Sequence, residues 1–560
     1  MNFSITIDNT VVEVAPGQSV LSAARSIGMD IPTLCYLEKC GPLNSCQVCL
    51  VKINGKLVPS CGTRVEPGMV VQSETQEIHE ARRTALELLF SDHVGDCLSP
   101  CHRLCPLGLN IPVMLRQIQS DQVDEAILTM RSALPLGGVL GRLCHHPCEQ
   151  GCRRGNWDSP AAIRDMEKHV SDVDRNRGDD AKTPSYVPTR KAPSGKTVAV
   201  IGAGPAGLAA SWYLARNGHA VTLLDRNTSA GGTLRQVSQE TLPPEVLDAE
   251  IELLTRFGVE LRLGVTLGNQ VRLDELGQSF DAILLTVGET QPNQAFLQGI
   301  PMSGPLIITD PNTCQTAVPK IFSAGSAVRP AKQLVRAMTE GRAAADCIHR
   351  FLNGQPARRA EKVFSSVMGR LSPGELRDLL RTTRDGARVS PCDRCAGHTR
   401  EEAMAESARC MHCDCRSSGN CVLQHYAQSY GADANRFRAE RRVFDQQLQP
   451  GGVVFEPGKC ILCGICVKLT ELAREPLGLA FIGRGFDVRV SAPFNQAIED
   501  GLQLVAEECV KHCPTGALAF LENTSSLQPT FPGACPAGSS QNPPAAPQEK
   551  TAGSTRGGEN

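Results

Sequence analysis

Most of the 25 cysteines of this chain fall in tight runs. Cys460-x2-Cys463-x2-Cys466 is followed by a remote Cys513-Pro, and Cys97-x3-Cys101-x3-Cys105-Pro by Cys144-x3-Cys148-x3-Cys152. A fourth run is Cys410-x2-Cys413-x-Cys415-x5-Cys421, preceded by Cys392-x2-Cys395. Paired CxxC knuckles would point to zinc; triplets and Cys-Pro endings point to iron-sulfur clusters, whose irons are held by thiolates. A looser quartet, Cys35, Cys46, Cys49 and Cys61, suits a [2Fe-2S] centre held in loops around a sheet, with Cys40 as a bystander. In the last array Cys513 is the expected fourth ligand and Cys509 its competitor. Cys314, Cys347 and Cys535 stand singly and are expected to ligate nothing.

A second chemistry is written in glycine. The β-branched run Val198 to Ile201 leads into Gly202, Gly204 and Gly207, the chain's single GxGxxG. These glycines permit a tight turn, a close backbone approach to a pyrophosphate and close helix-strand packing, with the phosphate at a helix N-terminus. Asp225, about twenty residues on, is placed to bind a ribose hydroxyl, and Gly231-Gly232 offers another close approach. This is the expected flavin site.

Several domains must position these groups, because 560 residues exceed one core. Residues 1–80 alternate like strands around a helix from Ser19 to Ile27. Residues 81–173 carry the amphipathic stretch Ile111 to Ser132, and 174–195 is a polar, proline-rich linker. Residues 196–352 are the nucleotide domain, 353–440 a Cys-rich segment, 441–522 the domain of the last array, and 523–560 a disordered tail. With 57 basic and 59 acidic residues the net charge is -2, which argues against nucleic acid. No charged leader precedes an apolar core, and no apolar run reaches the ~18 residues a membrane span needs, so a cytoplasmic protein without membrane insertion is expected. No Ser-His-Asp set or metal-hydrolase motif is present.

PTLCYLEKC, SCQVCLVKI and SCGTRVEPGMVV, continued by EARRTALELLFSDHVGDC, resemble the N-terminal ferredoxin domain of the large iron-sulfur subunit of complex I and its relatives in NAD-linked hydrogenases and formate dehydrogenases. In that family a histidine ligates a cluster through H-x3-C, the spacing of His93 and Cys97 here. The sequences after Cys421 and around Cys460 to Leu518 resemble the same subunit. Between them, the arrays from Cys97 to Cys152 resemble the helical cluster domain of the glutamate synthase small subunit and dihydropyrimidine dehydrogenase, which holds two interleaved [4Fe-4S] clusters. That resemblance implies one cluster on Cys105, Cys144, Cys148 and Glu167, and another on Cys97, Cys101 and Cys152. The family's further upstream cysteine is missing, leaving His93 as the nearest candidate. The resemblance to the complex I subunit implies that the flavin module is inserted into the histidine-containing motif, with His93 and Cys97 on one side and Cys415 and Cys421 on the other; Cys410, Cys413, Cys415 and Cys421 also suffice for a cluster of their own, with Cys392 and Cys395 as substitutes. His102, His145 and His146 match no ligand position.

Leu284-Leu-Thr-Val-Gly-Glu-Thr-Gln-Pro292 and Val318-Pro-Lys-Ile-Phe-Ser-Ala-Gly325 resemble the strands that close the flavin half of the same flavoprotein family, with Gly325 on the cofactor. Ser326 replaces that family's ribityl-binding Asp. Only about twenty-five residues separate the two motifs, too few for the NAD(P)H domain found there, since a βαβ unit takes thirty or more. The expected architecture is an α+β and α/β multidomain chain. It comprises a β-grasp [2Fe-2S] ferredoxin domain, a helical iron-sulfur domain, a Rossmann-like FAD domain and a C-terminal ferredoxin-like [4Fe-4S] domain. The expected cofactors are FAD, one [2Fe-2S] and three to four [4Fe-4S] clusters. The expected role is an electron-transfer subunit of a multisubunit cytoplasmic oxidoreductase of the NAD(P)-linked hydrogenase or formate dehydrogenase type. Its partners would be an NADH-oxidising flavoprotein subunit and a hydrogenase or formate dehydrogenase catalytic subunit, or ferredoxin. The alternatives are a self-contained NAD(P)H oxidoreductase like the glutamate synthase small subunit, and a scaffold with degenerate sites.

Overall fold

Alternating side chains make strand Phe3–Ile7, which pairs antiparallel with Thr10–Val14 and turns Ile5, Ile7, Val12 and Val14 into one core. The computed structural model that contains this hairpin describes residues 2–177, 189–289, 297, 299–330, 332–393, 396–438 and 440–521. The hairpin belongs to a five-stranded mixed sheet of order Thr10–Val14, Phe3–Ile7, Val70–Gln72, Leu50–Ile53, Lys56–Pro59. Helix Val20–Ser26 lays Val20, Leu21, Ala23 and Ala24 against it, its N-terminus capped by the Ser19 hydroxyl, which accepts from the Ser22 amide.

Helix Gln76–Phe90 leads into a helical region. The amphipathic stretch from Ile111 divides into Ile111–Gln119 and Val123–Ala133, with Asp121 left-handed at the break. Helix Ile163–Arg177 continues past the expected boundary at 173, because Asp174 is buried against Arg131 (Nε to Oδ2 2.9 Å). Of the expected linker, 178–188 lies outside the described residues.

Five parallel strands follow, in the order Val259–Leu263, Ala220–Asp225, Thr197–Ile201, Ala282–Leu285, Ile321–Ser323. Helices Pro205–Arg216, Pro244–Arg256 and Leu334–Leu352 flank this sheet. The helical region and the sheet share one apolar core, in which Leu107, Ile111 and Met130 join Leu208, Trp212 and Val246. Arg131 also reaches across to Glu250 of the nucleotide domain at 2.6 Å, so a buried ion pair fixes the two together. Between Ala282–Leu285 and Ile321–Ser323 the described residues contain one small hairpin, Met302–Ser303 with Leu306–Ile307.

The last region pairs Gln447–Leu448, Val453–Phe455 and Leu518–Phe520 in an antiparallel sheet beside helices Ile465–Ala473 and Ala506–His512. Its core takes in Leu34, Cys35 and Cys46 from the first domain and Leu86 and Phe90 from helix Gln76–Phe90, so the chain folds back on its beginning. All described residues lie in the unit Met1–Thr524. The expected disordered tail over 523–560, with Cys535, lies outside the described residues, as does Cys395. Among the described residues no helix is long and apolar enough to cross a membrane.

Candidate flavin and iron-sulfur centres

The three loop glycines divide their work as their surroundings dictate. Gly202 takes φ +107°, and a Cβ there would lie 2.3 Å from the Thr286 carbonyl oxygen; one on Gly207 would lie 1.9 Å from the Gly202 carbonyl oxygen. At Gly204 a Cβ would meet nothing within 4 Å, which leaves the backbone before helix Pro205–Arg216 open to a phosphate. Gly232 closes the other side, its would-be Cβ 3.0 Å from Gly204 Cα, and Gly325 stands against Ala206. The structure thus gathers Gly202, Gly204, Gly207, Gly232 and Gly325 at the C-terminal end of the sheet, a cradle that fits a dinucleotide pyrophosphate. Asp225, 8% exposed, spends its carboxylate on the loop: Oδ2 accepts from Ala203 N (2.6 Å) and Oδ1 from Asn227 N (2.8 Å).

In the first domain Cys35, Cys46, Cys49 and Cys61 converge. Cys49 Sγ lies 3.3 Å from Cys61 Sγ, and Cys46 N donates to Cys35 Sγ at 3.4 Å. Hydrogen bonds from the thiols of Cys46 and Cys61 hold the Cys35 thiolate down, and those partners are raised in turn. Cys40 stays outside this quartet; burial raises it, and its charged neighbours are Lys39, Glu508 and Lys468.

Cys105, Cys144 and Cys148 form a second set around Glu167. Burial pushes Cys105 and Cys144 to about 11, and the Glu167 charge adds to both. Cys148 is raised by burial, then by Glu167 and Cys105. Burial, followed by the Glu149 charge, pushes Glu167 itself up to about 8. A buried carboxyl facing three thiols is a donor set that fits a cluster.

Beside Cys101 and Cys152, expected to share a set with Cys97, the structure also brings Cys410. Cys101 is raised by burial, then by Cys152 and Cys410; burial also raises Cys413, with Cys410, Cys152 and Cys101 adding to it against Arg153. Cys97 turns the other way. Cys415 N donates to Cys97 O at 3.4 Å, and after burial Cys421 is raised by Cys415 and Cys97. The reason is local: Ser99 N-caps helix Pro100–Leu104, so Cys97 lies in the loop before the cap and Cys101 within the helix. Cys410, Cys413, Cys415 and Cys421, expected to suffice for a cluster of their own, have different neighbours. Asp414, the residue between Cys413 and Cys415, is gripped by Arg116 (Nη1 to Oδ1 3.1 Å, Nη2 to Oδ2 2.8 Å). After burial, Cys410, Cys152 and Cys101 add to the upward shift of Cys413, and Glu456 and Cys97 to that of Cys415. Cys392 is exposed, its amide donating to Glu402 Oε1 at 3.1 Å.

His93 and Lys459 both stand against Gly95, two residues before Cys97: a Cβ there would lie 3.2 Å from His93 Nε2 and 2.9 Å from Lys459 Cε. The Nδ1 of His93 is buried with no hydrogen-bond partner among the described residues, an orphaned donor or acceptor that a metal would satisfy. Burial, then the Lys459 charge, pushes its pKa down to about 3, leaving the neutral form that ligates metal. Lys459 is buried, pairs with Glu456, and places positive charge beside Cys97 and Cys415.

In the last array Cys460, Cys463, Cys466, Cys509 and Cys513 line one cavity of about 20 Å³. After burial, Cys513 adds to the upward shifts of Cys460, Cys463 and Cys466, whereas Cys509 is felt by Cys466 alone of the three. That favours Cys513 over Cys509. Among the described residues no three His, Cys, Asp or Glu side chains could hold a single metal ion. A multi-iron cluster sets its ligands around a body of iron and sulfide instead, and the buried thiol sets suit that arrangement.

Sequence reasoning missed Arg116, Asp414, Lys459 and Gly341. Gly341 sits inside helix Leu334–Leu352, where its Cβ would lie 2.1 Å from the Ala206 carbonyl oxygen. A glycine in mid-helix was the available signal.

Residues 1–76 match the 2Fe-2S iron-sulfur cluster binding domain family, residues 68–179 the 4Fe-4S domain II of dihydropyrimidine dehydrogenase, and residues 190–341 the pyridine nucleotide-disulphide oxidoreductase family. The NADP(+)-dependent formate dehydrogenase subunit beta of Moorella thermoacetica is 37% identical over 207 residues, which is 34% of this chain and 29% of that protein. The NADPH-Fe(3+) oxidoreductase subunit beta of Geobacter sulfurreducens is 32% identical over 36% of this chain and 30% of its own length. The glutamate synthase [NADPH] small chain of Mycobacterium tuberculosis is 34% identical over 37% of this chain and 42% of its own. The chain therefore spans less than half the length of each of these relatives. The three family matches give it the domain content of a composite iron-sulfur flavoprotein, an oxidoreductase.

Proposed function

We propose that the chain is an FAD- and iron-sulfur-containing electron-transfer subunit of a multisubunit cytoplasmic oxidoreductase whose substrate chemistry resides on a partner. The observation that carries this reading is continuity. Tyr213, on the helix that follows the glycine loop, shares one core with Cys148 and Cys105, and Cys105 N donates to Cys101 O at 3.1 Å. Cys413 and Cys415 are separated by one residue, Cys421 Sγ donates to the carbonyl of Pro514, next to Cys513, at 3.6 Å, and Ser45, next to Cys46, donates its hydroxyl to Cys463 O at 3.3 Å. The thiol sets thus succeed one another from the nucleotide fold to the first domain.

In this reading Gly202, Gly204, Gly207, Gly232 and Gly325 hold FAD, with Asp225 bracing the loop. Cys35, Cys46, Cys49 and Cys61 hold the [2Fe-2S] centre. The [4Fe-4S] sets are Cys105, Cys144, Cys148 and Glu167; His93, Cys97, Cys415 and Cys421; and Cys460, Cys463, Cys466 and Cys513. Bound there, FAD supplies the exchange of an electron pair for single electrons, and the clusters supply one-electron steps. The chain's residues provide burial and fixed charge, Lys459 among them, which set potentials. The beta-subunit names of two relatives support partners: an NADH-oxidising flavoprotein subunit with a hydrogenase or formate dehydrogenase catalytic subunit, or ferredoxin. The free thiols of the described cysteines fit a reducing compartment. A self-contained NAD(P)H oxidoreductase is the second reading, favoured by the pyridine nucleotide family match and the glutamate synthase relative. The test is composition: anaerobically purified chain should contain flavin, iron and acid-labile sulfide, and dithionite should bring up a [2Fe-2S] EPR signal. Flavin without iron would remove the reading.

A further inference from the structure

The set around Cys101 is drawn from chain segments that lie on opposite sides of the nucleotide domain. Cys101 and Cys410 are buried in the same core, with Cys152 packed against it. The segment bearing Cys410 is fastened to the loop after Cys152 at several points. Arg154 Nη1 donates to Arg409 O at 3.2 Å, Arg409 Nη2 donates to Ser159 O at 2.8 Å, and Ala162 N donates to Glu406 Oε1 at 2.9 Å. Arg116, from the helix after Cys105, fixes Asp414 just beyond Cys413. This built frame holds the Cys410 segment against the loop after Cys152 and against the helix after Cys105, with Cys101 and Cys410 buried in the one core.

We propose that Cys101, Cys152, Cys410 and Cys413 hold one [4Fe-4S] cluster, which stitches the chain before the nucleotide domain to the chain after it. Cys410-x2-Cys413 takes the place of ligands that the segment upstream of Cys101 lacks, and this frees Cys97 for the set with His93. The assignment rests on the iron-sulfur reading above and names a ligand set that the family match over residues 68–179 cannot contain, since two members lie far beyond it.

The experiment is a set of variants of the full chain, purified anaerobically, with iron and sulfide counted and EPR spectra recorded. Cys101→Ala and Cys410→Ala should each lose one cluster's worth of iron and sulfide, and the double variant should lose no more than either. Cys97→Ala combined with Cys101→Ala should lose twice as much. Additive losses for Cys101 and Cys410, or non-additive losses for Cys97 and Cys101, overturn the assignment. The wild-type chain gives a second measurement that does not depend on variants folding. During slow oxidative cluster loss, alkylation followed by mass spectrometry should show Cys101, Cys152, Cys410 and Cys413 becoming reactive at one shared rate. A rate that groups Cys410 and Cys413 with Cys415 and Cys421 overturns it. Wild-type chain devoid of acid-labile sulfide overturns the iron-sulfur reading itself, whereas clusters present with the wrong grouping overturn this ligand set alone.

Discussion

Glu167 carries the most chemistry of any single non-cysteine ligand candidate, because its carboxyl is buried where three thiols converge. A carboxylate without a cation there costs several kcal/mol, which is why burial pushes it up to about 8. An iron would reverse that penalty. Glu167→Gln, which keeps a side-chain oxygen, should therefore retain the cluster with an altered EPR signature, and Glu167→Ala should lose one cluster's worth of iron. Unchanged iron in the alanine variant would return Glu167 to an ordinary helix residue. The same reasoning separates the two competitors of the last array. Both line the same cavity, but Cys513 adds to the upward shifts of all three thiols of the CxxCxxC loop and Cys509 to that of Cys466 alone, so Cys513→Ala should lose a cluster that Cys509→Ala keeps. A cluster surviving the first change and not the second reverses the choice.

At the scale of elements, two helix contacts govern whether the sites form. Helices Pro205–Arg216 and Leu334–Leu352 approach so closely at Gly341 that a methyl group has no room, and the backbone displaced would be that of the phosphate-facing turn. Gly341→Ala should cost about 1–3 kcal/mol through overpacking. It should also lower bound flavin while leaving the [2Fe-2S] EPR signal intact; full flavin content would show that the crossing does not shape the cradle. Helix Pro373–Leu380 is tied down by Glu375, which closes a capping box with Ser372 and binds Arg441 at 2.6 and 3.0 Å and Phe444 N at 2.7 Å. Burial alone would raise the Glu375 pKa, but Arg441 and the backbone donors outweigh it and hold the group at about 2. A folded pKa below the unfolded value of about 4.5 means that this stabilisation is whole above pH 4.5 and is lost as pH falls toward about 2. Glu375→Gln should thus destabilise the metal-free chain by about 2–3 kcal/mol at pH 7, and by clearly less at pH 3, in urea unfolding. An equal difference at both values would show that the charge is not what holds the helix.

At the scale of the whole molecule, legibility followed distance along the chain. The glycine cradle and the strand leading into it could be read because a GxGxxG turn is completed within a few residues, and the Cys35 quartet because its ligands share one small domain. Spacing alone gave no grouping for Cys101, Cys410 and Cys413, whereas the resemblance to the complex I subunit already set His93 and Cys97 on one side of the flavin module and Cys415 and Cys421 on the other. Spacing does not report that a helix cap or an Arg116–Asp414 pair aims neighbouring thiols at partners hundreds of residues away. The remaining large-scale feature is what separates Ala282–Leu285 from Ile321–Ser323: a small hairpin among the described residues, where a nucleotide-reducing flavoprotein needs a second nucleotide-binding fold. Hydride transfer requires the nicotinamide to be held against the flavin, and orientation of that kind is worth ~7 kcal/mol or more of the barrier. Without phosphate and ribose contacts a dilute nucleotide stays unoriented. The chain by itself should therefore be reduced readily by dithionite or a low-potential ferredoxin and hardly at all by NADH or NADPH, followed as anaerobic bleaching of its flavin. Fast bleaching by either nucleotide, with no other subunit present, would overturn the electron-transfer-subunit reading and establish the self-contained reductase in its place.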